Sequence, residues 1–423
     1  MMAKLDMFTK GRKPYVYEIQ DHPTDLDEWA KDLNKRILQE FQYLKSIEDN
    51  KTYLLHLKFE ELKEYVSKID KRKIKSVFEK TQNFDDMMEF MKREKNDIKF
   101  IDADKEPYKT DWLILRMFVS TLYWSQNPGR NLRYLLQING KYCGMFSLAS
   151  DVIAMSERDN YIGWDKSVKI EGPKRLNNTC IASSIVPTQP IGFMTTGGKL
   201  MCLLLHSHFF QKAWKEKYGD ILAGMTTTSL YGINSQYNGM PKYWKTLGVT
   251  KGSIILSPLE KTYSEIREYC LKRAKIDKDF GKKYDDALNA KNDTCATGPK
   301  QNVLNLYYKE SGFKALMSQH KIQTRDLQSG FEKGIYFARY YDNTIDFLQG
   351  KINEDQLIPR KDFDFDIHDL NSIVDYWKRK YANNRLLKTM EMDSKYREQF
   401  FQDKIFEIDD IKEFVRVYGK KEA

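Results

Sequence analysis

Cysteine is scarce in this chain of 423 residues, which contains only five. The cysteines stand far apart and form no CxxC pair, so the sequence predicts neither a zinc ribbon nor a disulfide framework. A reducing compartment fits this pattern best. The five are Cys143, Cys180, Cys202, Cys270 and Cys295.

Histidine is also scarce, with six residues in the chain. His206 and His208 stand two residues apart in a predicted helix, so their side chains point to different faces and do not readily hold one metal ion. Cys202 and His206 have helical i, i+4 spacing, but no carboxylate or further histidine lies suitably close in sequence. We therefore expect packing roles for these residues, no metal site and no Ser-His-Asp or Cys-His nucleophile.

Long apolar runs are missing as well. No segment approaches about 18 consecutive apolar residues, the length from which a membrane-spanning helix is read. The first residues, Met1–Lys13, include basic side chains without an apolar stretch behind them, which argues against a signal peptide. We therefore expect no membrane partner and a cytoplasmic location.

The chain has no strong excess of either charge. Lysine and arginine number 70 against 60 aspartate and glutamate residues, which gives a formal net charge of +10 and a pI near 9.0. This sign is the one expected for a surface that binds a polyanion. Because 31% of the residues are charged, most of these side chains belong on solvated helix faces, and charge alone leaves nucleic-acid binding open.

Hydrophobic periodicity indicates a mixed α/β protein with three regions. Residues 1–105 read as a helical region, in which an amphipathic helix begins after Thr24. Residues 106–260 read as an α/β core, and residues 261–423 as mostly helical, with few strand signals after Lys261. A length of 423 residues also favours two or three domains.

The clearest local signal is a β-hairpin at residues 132–148, where Asn139-Gly140 supplies the residue pair preferred in a type I′ turn. A third strand is expected at Thr179–Val186. An apolar helix follows at Leu200–Tyr218, then a strand at Ile221–Thr228. A loop with a short helix should connect that strand to another at Ser253–Leu256.

Glycines precede the apolar helix in the sequence Thr195-Thr196-Gly197-Gly198-Lys199. A helix start leaves backbone N–H groups unpaired at the positive end of the helix dipole, which is the geometry that binds phosphate. Gly197 and Gly198 would let an anion approach the backbone, and Lys199 would add a positive charge. The chain contains no GxxxxGK[ST] pattern, so a P-loop NTPase is disfavoured. The alternative is that both glycines only turn the chain.

A second cluster of polar residues follows the predicted strand Ile221–Thr228, at the edge where open α/β sheets place ligands. Nearby aromatic side chains could stack on a base or nucleotide, although loops rich in Ser, Thr and Asn are often only turns. The residues that we assign to substrate or nucleic-acid binding are Thr227, Ser229, Tyr231, Asn234, Tyr237, Trp244 and Lys251.

Taken together, the hairpin, the strands Thr179–Val186 and Ile221–Thr228, the Gly197-Gly198 loop with its helix and the segment Tyr243–Val249 resemble the GCN5-related N-acetyltransferase (GNAT) fold. The resemblance implies acetyl-CoA or a related acyl-CoA as cofactor, seated on Thr196, Gly197, Gly198, Lys199 and Asn238. It also implies Tyr243 as the general acid for a departing thiolate, with Trp244 as a weaker alternative.

A further set of motifs resembles the DruA-like domain of phages and antiphage defence loci and, more distantly, the phage DNA-modification protein Mom. This resemblance covers roughly residues 110–350 and implies a protein of a virus or mobile element that works on or near DNA, in the host cytoplasm if it is phage-encoded. The motifs are Tyr161-Ile162-Gly163-Trp164, Leu176-Asn177-Asn178, Lys217-Tyr218-Gly219, Trp244–Gly252 and Gly334-Ile335-Tyr336-Phe337.

These observations lead to two hypotheses of different classes. The first is a GNAT-like acyltransferase that transfers an acyl group to a nucleobase or nucleotide, with Asp165 or Glu171 as base and Tyr243 as acid. The alternative for Asp165 and Glu171 is that each is only a surface charge. The second is a non-catalytic DNA-binding or assembly module that keeps the fold. It is favoured because Thr195-Thr196-Gly197-Gly198-Lys199 matches only imperfectly the Q/R-x-x-G-x-G/A loop that holds the acyl-CoA pyrophosphate in GNAT proteins. A nuclease ranks lower, because no cluster of carboxylates and lysine stands out.

Overall fold

The chain forms two compact units in the computed structural model. One combines residues of Met1–Leu57 with residues of Lys251–Glu332, and the other combines Lys58–Thr250 with Lys333–Ala423. The three consecutive regions expected from the sequence stay a prediction. The structure describes residues 25–45, 58, 61–120, 129–230, 235–250, 253–255, 258, 260–289, 298–322, 328–330 and 333–391.

Helices make up most of the described residues. A helical stretch at residues 61–68, π-helical turns at Ser167–Glu171 and Lys378–Ala382, and 3₁₀ turns at Arg175–Asn178 and Glu354–Gln356 accompany the α-helices. The α-helices are α1 (Leu26–Lys45), α2 (Lys71–Glu79), α3 (Phe84–Lys92), α4 (Tyr108–Val119), α5 (Ser156–Ile162), α6 (Ile191–Met194), α7 (Gly197–Leu204), α8 (His208–Tyr218), α9 (Glu260–Ile276), α10 (Lys278–Asn289), α11 (Gly298–Glu310), α12 (Phe313–Gln319), α13 (Thr344–Leu348), α14 (Leu370–Trp377) and α15 (Asn383–Met390).

The strands form a seven-stranded mixed sheet in the order β1-β2-β3-β4-β5-β9-β6 and a separate pair, β7-β8. The predicted mixed α/β class is therefore confirmed. None of the described helices is long and apolar enough to cross a bilayer. The strands are β1 (Ile98–Asp102), β2 (Asn131–Ile138), β3 (Lys141–Ser150), β4 (Thr179–Pro187), β5 (Gly224–Ser229), β6 (Lys245–Val249), β7 (Ser253–Ile255), β8 (Gln328–Gly330) and β9 (Gly334–Arg339).

The predicted hairpin is confirmed as β2 and β3, which pair antiparallel from Asn131 opposite Ala149 to Ile138 opposite Lys141, with one register shift after Leu136. Asn139 and Gly140 have φ angles of 50° and 83°, and positive φ at both central residues is what a type I′ turn requires. The other predicted strands of the core also form, at Thr179–Pro187 and Gly224–Ser229. Their side chains face helices α7 and α8 across the main hydrophobic core of this unit.

One parallel contact interrupts the antiparallel pairing of the sheet. β4 pairs with β5 only from Thr179 to Ile181, opposite Gly224 to Thr226. β4 then continues to Pro187 without ladder pairing to β5, while its other edge stays paired with β3. Ladder pairing between the two strands therefore ends after three residue pairs, and we call the region between them beyond these pairs the cleft.

The predicted helix Leu200–Tyr218 is wrong in one respect, because the structure divides it into α7 and α8. The first helix ends with short i, i+3 bonds, in which the N–H groups of His206 and Ser207 donate to Leu203 O and Leu204 O. Tyr340 Oη donates to Leu205 O at 2.6 Å, so a side chain beside the sheet occupies the carbonyl at the break. Periodicity alone does not report such a partner.

Three strands of the sheet were missed in the sequence. β1 occupies Ile98–Asp102, at the end of a region that was predicted to be helical. β6 occupies Lys245–Val249, where a short helix was predicted, and β9 occupies Gly334–Arg339, where strand signals had faded. β9 is a buried central strand that pairs antiparallel with β5 on one side and β6 on the other. Its partners lie about a hundred residues away in sequence, so local pattern did not reveal it.

The other unit is a helical assembly that contains the short β7-β8 pair. The apolar stripe predicted for α1 is confirmed, because Trp29, Leu33, Ile37 and Phe41 are each at most 1% exposed. Trp29 lies edge-on against Tyr269 of α9, with ring centroids 5.6 Å apart. Burial of this stripe gives the unit its core.

A buried ion-pair network lies beside the parallel contact of the sheet. The side chains of Arg158 and Asp151 are fully buried, and their nearest charged atoms lie 2.6 Å apart. Arg158 also contacts Asp159 at 2.7 Å, and Asp159 contacts Lys169 at 2.5 Å. Thr226 Oγ1 donates to Asp151 at 2.9 Å, which joins the network to β5.

Replacing Arg158 with methionine should destabilise the protein by about 3–5 kcal/mol, because the buried carboxylate of Asp151 would lose its counter-charge. The double variant with Asp151→Asn should recover part of this loss. Free energies of unfolding from urea titration measure both effects. Arg379→Met, at an exposed position, serves as the control. Equal stabilities of Arg158→Met and wild type would contradict the role given to the network.

Candidate functional site

The glycine loop before α7 is shaped by close contact with its own chain. A Cβ atom on Gly197 would lie 2.8 Å from Ile191 O, and a Cβ on Gly198 would collide with the side-chain oxygen of Gln236. Thr196 precedes them with a φ of 56°, in the left-handed region. Glycine is therefore required at Gly197 by packing against backbone, whether or not the loop binds an anion.

The amino group of Lys199 is turned toward the protein. It donates to the backbone oxygen of Asn238 at 2.5 Å and to that of Gln236 at 3.4 Å, and it lies 5.1 Å from the centre of the Tyr381 ring. The backbone N–H of Lys199 donates to Thr196 O at 2.8 Å. The charge predicted to contact a phosphate thus stabilises the turn at residues 236–239.

The cleft between β4 and β5 is occupied by three side chains, which we call the cleft residues: Thr227, Gln236 and Tyr237. Thr227 Oγ1 donates to Ala182 O at 2.9 Å, and Gln236 Nε2 donates to Ile185 O at 3.0 Å. Tyr237 Oη lies 3.2 Å from both Thr227 Oγ1 and Gln236 Nε2. These bonds satisfy carbonyls that β4 does not share with β5 beyond their paired segment.

Tyr243 belongs to an aromatic cluster and is 3% exposed. Its hydroxyl donates to Asp364 Oδ2 at 2.7 Å, and Tyr376 Oη approaches the same oxygen at 3.3 Å. Burial, followed by hydrogen bonds with Tyr376 and Asp364, raises the pKa of Tyr243 above its ordinary range. In this arrangement the proton of the predicted general acid is held by a carboxylate.

His206 lies inside the same aromatic cluster and is fully buried. The rings of Tyr243, Trp244, Tyr340 and Phe363 have centroids 5.5–6.1 Å from its imidazole. Neither ring nitrogen forms a hydrogen bond with a described residue. Burial, with a smaller effect of Arg360, lowers the pKa of His206 from 6.5 to about 3, so the imidazole is neutral in the folded protein.

The two predicted bases lie on exposed turns and bond locally. Asp165 Oδ1 accepts from the N–H and the hydroxyl of Ser167, and the side-chain bond to Ser167 is the main cause that lowers the pKa of Asp165. Glu171 forms a 2.7 Å ion pair with Lys166. Both carboxylates stabilise the π-helical turn, whereas Tyr243 bonds with Asp364 from a different segment.

The residues assigned to substrate binding have mixed positions. Tyr237 and Trp244 are at most 5% exposed, and their rings contact each other at 5.0 Å, so they form core rather than an open stacking platform. Ser229 is 8% exposed. Asn238 Oδ1 accepts from Tyr336 Oη at 3.1 Å. The remaining assigned residues, Tyr231, Asn234 and Lys251, lie outside the described residues.

Three residues that bond or pack with Tyr243 and Lys199 were missed in the sequence: Asp364, Tyr376 and Tyr381. The segment Phe363–Asp366 alternates aromatic and acidic residues, which is a period-two signal for an extended chain with one buried face. Phe363 and Phe365 indeed pack on Tyr243. Across the described residues, His, Cys, Asp and Glu side chains form no group of three or more that could hold a metal ion.

Together these features describe a mixed α/β protein whose sheet is interrupted by one parallel contact and whose cleft is closed by its own side chains. A family model described as "Druantia protein DruA" matches residues 48–350, most of the chain. The chain therefore belongs to the DruA family. This confirms the resemblance to DruA, while the likeness to GNAT proteins and to Mom stays a prediction.

The chain is also similar to the Druantia protein DruA of Escherichia coli (strain UMEA 4076-1). The two are 29% identical over 173 residues, which cover 36% of this chain and 42% of the relative. The chain thus matches less than half the length of that curated protein. No solved structure matches the chain.

Within the fold, the motif Tyr161-Ile162-Gly163-Trp164 of the DruA resemblance contacts β9 and α13. Tyr161 lies edge-on against Phe337, with ring centroids 5.7 Å apart. Trp164 Nε1 donates to Leu348 O at 2.6 Å, at the end of α13, the helix that follows β9. Gly163 takes a left-handed φ of 73° at the end of α5, a conformation that favours glycine. These contacts give Tyr161, Gly163 and Trp164 roles in packing and in a turn.

Replacing His206 with phenylalanine should make stability less sensitive to acid. An unfolded chain takes up a proton near pH 6.5, whereas the folded chain keeps His206 neutral to about pH 3. The free energy of unfolding of the wild type should therefore fall by up to about 1.4 kcal/mol for each pH unit below 6.5. The variant should lack this part of the pH dependence. Urea titrations from about pH 7 to about pH 4 measure it.

The matched control for this experiment is His320→Gln, at an exposed position. Its stability should follow the wild-type pH dependence. If His206→Phe and wild type lose stability in parallel as the pH falls, His206 is not neutral in the folded state.

Proposed function

We propose that the chain is a non-catalytic DNA-binding or assembly module of an antiphage defence system, which keeps an α/β sheet as a rigid scaffold. The observation that carries this proposal is the closed cleft between β4 and β5. Gln236 and Thr227 bond to Ile185 O and Ala182 O across the opening, where a GNAT-like enzyme would need room for its acyl donor.

The groups assigned to the donor phosphate give further support. The Lys199 amino group bonds to backbone oxygens of Gln236 and Asn238. Gly197 is packed against Ile191 O, which gives the glycine a steric explanation. An anion at this loop would therefore compete with contacts that the protein already makes. A structural role in a scaffold explains these contacts without a cofactor.

The partner in this proposal is DNA. Its support is the net charge of +10 and membership of the DruA family, whose domains belong to antiphage defence loci. Binding through a basic surface would be sequence-tolerant and would weaken with salt. A cytoplasmic location follows from this proposal, since the DNA of an infecting phage is encountered there.

The second candidate is the acyltransferase, which would transfer an acyl group from acetyl-CoA or a related acyl-CoA to a nucleobase or nucleotide. One observation favours it: the parallel strands β4 and β5 part after Ile181 and Thr226, which is the splayed arrangement expected of a GNAT-like sheet. For this function Gln236 and Tyr237 must leave the cleft, and Tyr243 must release its bond to Asp364 before it acts as an acid.

A thermal-shift titration separates the two functions. The proposal predicts that duplex DNA raises the melting temperature, while acetyl-CoA and CoA leave it unchanged. A ligand present at about 100 times its Kd stabilises the folded state by about 2.7 kcal/mol, which is readily measured. Lys199→Ala should bind DNA like wild type, because its amino group faces the protein interior.

Stabilisation by acetyl-CoA that is abolished in Lys199→Ala would instead support the acyltransferase. Lys212→Ala, at an exposed position on α8, controls for the removal of one charge. Mass spectrometry of nucleosides from cells that produce the protein adds a chemical readout. A modified nucleoside that disappears in a Tyr243→Phe variant would contradict the non-catalytic proposal.

A further inference from the structure

The helix α2, Lys71–Glu79, carries the most concentrated basic surface that we find in the described residues. Four of its nine residues are basic and one is acidic. The side chains of Arg72 and Lys75 are 92% and 73% exposed, and Lys71 and Lys73 are exposed as well. We call Lys71, Arg72, Lys73 and Lys75 the basic face.

Packing fixes the direction of this face. Ile74 and Val77 are 4% and 2% exposed and point into the protein. Phe78 lies edge-on against Phe118 of α4, with ring centroids 5.6 Å apart. The basic side chains therefore project from a helix that is held by its apolar side, and they need no rearrangement to meet a ligand.

The charges stand at the end of the helix where they are least favourable. The first turn contains Lys71, Arg72 and Lys73 and no acidic residue. Positive side chains near a helix N-terminus oppose the helix dipole, so they weaken the helix. Asp70 caps the helix by accepting from the Arg72 N–H. The basic side chains of the first turn are not needed for this cap, so helix stability does not explain them.

Internal ion pairs do not neutralise the basic face. Arg72 pairs with Asp70 at 2.8 Å and Lys75 reaches Glu79 at 4.0 Å, both at exposed positions where such pairs contribute little. Lys71 and Lys73 form no ion pair with a described carboxylate. Lys68, just before the helix, is exposed too, but it forms an ion pair with Glu64 at 2.5 Å and is not counted in the basic face.

We propose that the basic face binds the phosphate backbone of double-stranded DNA without reading its sequence, an inference that rests on the proposed DNA-binding function. A nine-residue helix is about 13 Å long, which spans several phosphates of a duplex. The exposed side of α2 offers lysine and arginine, the side chains that most often contact phosphate oxygens, and no aromatic ring for base stacking.

An anionic membrane is the other polyanion that a basic helix can meet. Helices that bind membranes insert apolar and aromatic side chains into the lipid beside their basic residues. On α2 the apolar Ile74 and Val77 are buried in the protein instead. The chemistry of this face therefore favours a nucleic-acid backbone.

The test is fluorescence anisotropy of the full chain with a labelled duplex, over salt concentrations from about 50 to about 200 mM. The variant is Lys71→Gln, Lys73→Gln and Lys75→Gln combined. We expect at least tenfold weaker binding in the lower half of this range. The salt slope should decrease by up to about 0.9 for each phosphate that the variant no longer neutralises. Its melting temperature should match or exceed that of wild type, because charges unfavourable to the helix dipole are removed.

The control variant, Lys212→Gln, Lys215→Gln and Lys351→Gln, has the same change in net charge at positions 56–65% exposed, and it should bind like wild type. Glu79→Gln, which removes the acidic residue of α2, should strengthen binding. If wild type binds duplex DNA and the two triple variants have the same affinity as each other, the basic face does not touch the duplex. The proposed DNA-binding function would still hold in that case.

If wild type does not bind duplex DNA at all, the proposed function and this inference both fail. Binding to vesicles of anionic phospholipid that requires the three lysines, without binding to duplex, would assign the face to a membrane and overturn the proposal.

Discussion

The structure depends on one interruption of its sheet. Because β4 and β5 run parallel and part after three residue pairs, carbonyl groups of β4 lose strand partners in the interior. Side chains replace these partners: Thr227 and Gln236 donate to Ala182 O and Ile185 O. The Tyr237 hydroxyl lies within hydrogen-bond distance of both side chains. These side-chain bonds link the turn at residues 236–239 to the sheet. Lys199 of α7 donates to a backbone oxygen of the same turn.

The same constraint connects the glycine loop to the aromatic cluster. Asn238 accepts from Lys199 through its backbone and from Tyr336 through its side chain, so the turn is tied to both α7 and β9. Trp244 donates to Cys202 O and packs against Tyr237, and Tyr243 next to it reaches Asp364. The residues that the sequence suggested as a ligand site are therefore hydrogen-bonded to each other and to the backbone of the core. In the proposed function, contact with DNA is left to the surface, where α2 displays its lysines.

Local signals predicted the elements whose causes are local. The Asn139-Gly140 turn, the apolar stripe of α1 and the strand Thr179–Pro187 follow from positive φ, helical spacing and β-rich composition. The break between α7 and α8 and the strands β1, β6 and β9 were missed, because each depends on a partner from another part of the sequence. Asp364 was missed as the partner of Tyr243 for the same reason, although the alternation around Phe363 and Phe365 marked its segment as extended.

By itself the sequence determined the mixed α/β class, the hairpin and the DruA motifs, since composition, periodicity and turn residues act over a few neighbouring positions. Only the tertiary structure decided what the polar residues do. Lys199, Gln236 and Tyr237 have the chemistry of a binding site, and nothing in their order along the chain shows that their polar atoms meet backbone oxygens and each other. That outcome depends on where the parallel strands part, which is a property of the folded sheet and of no single segment.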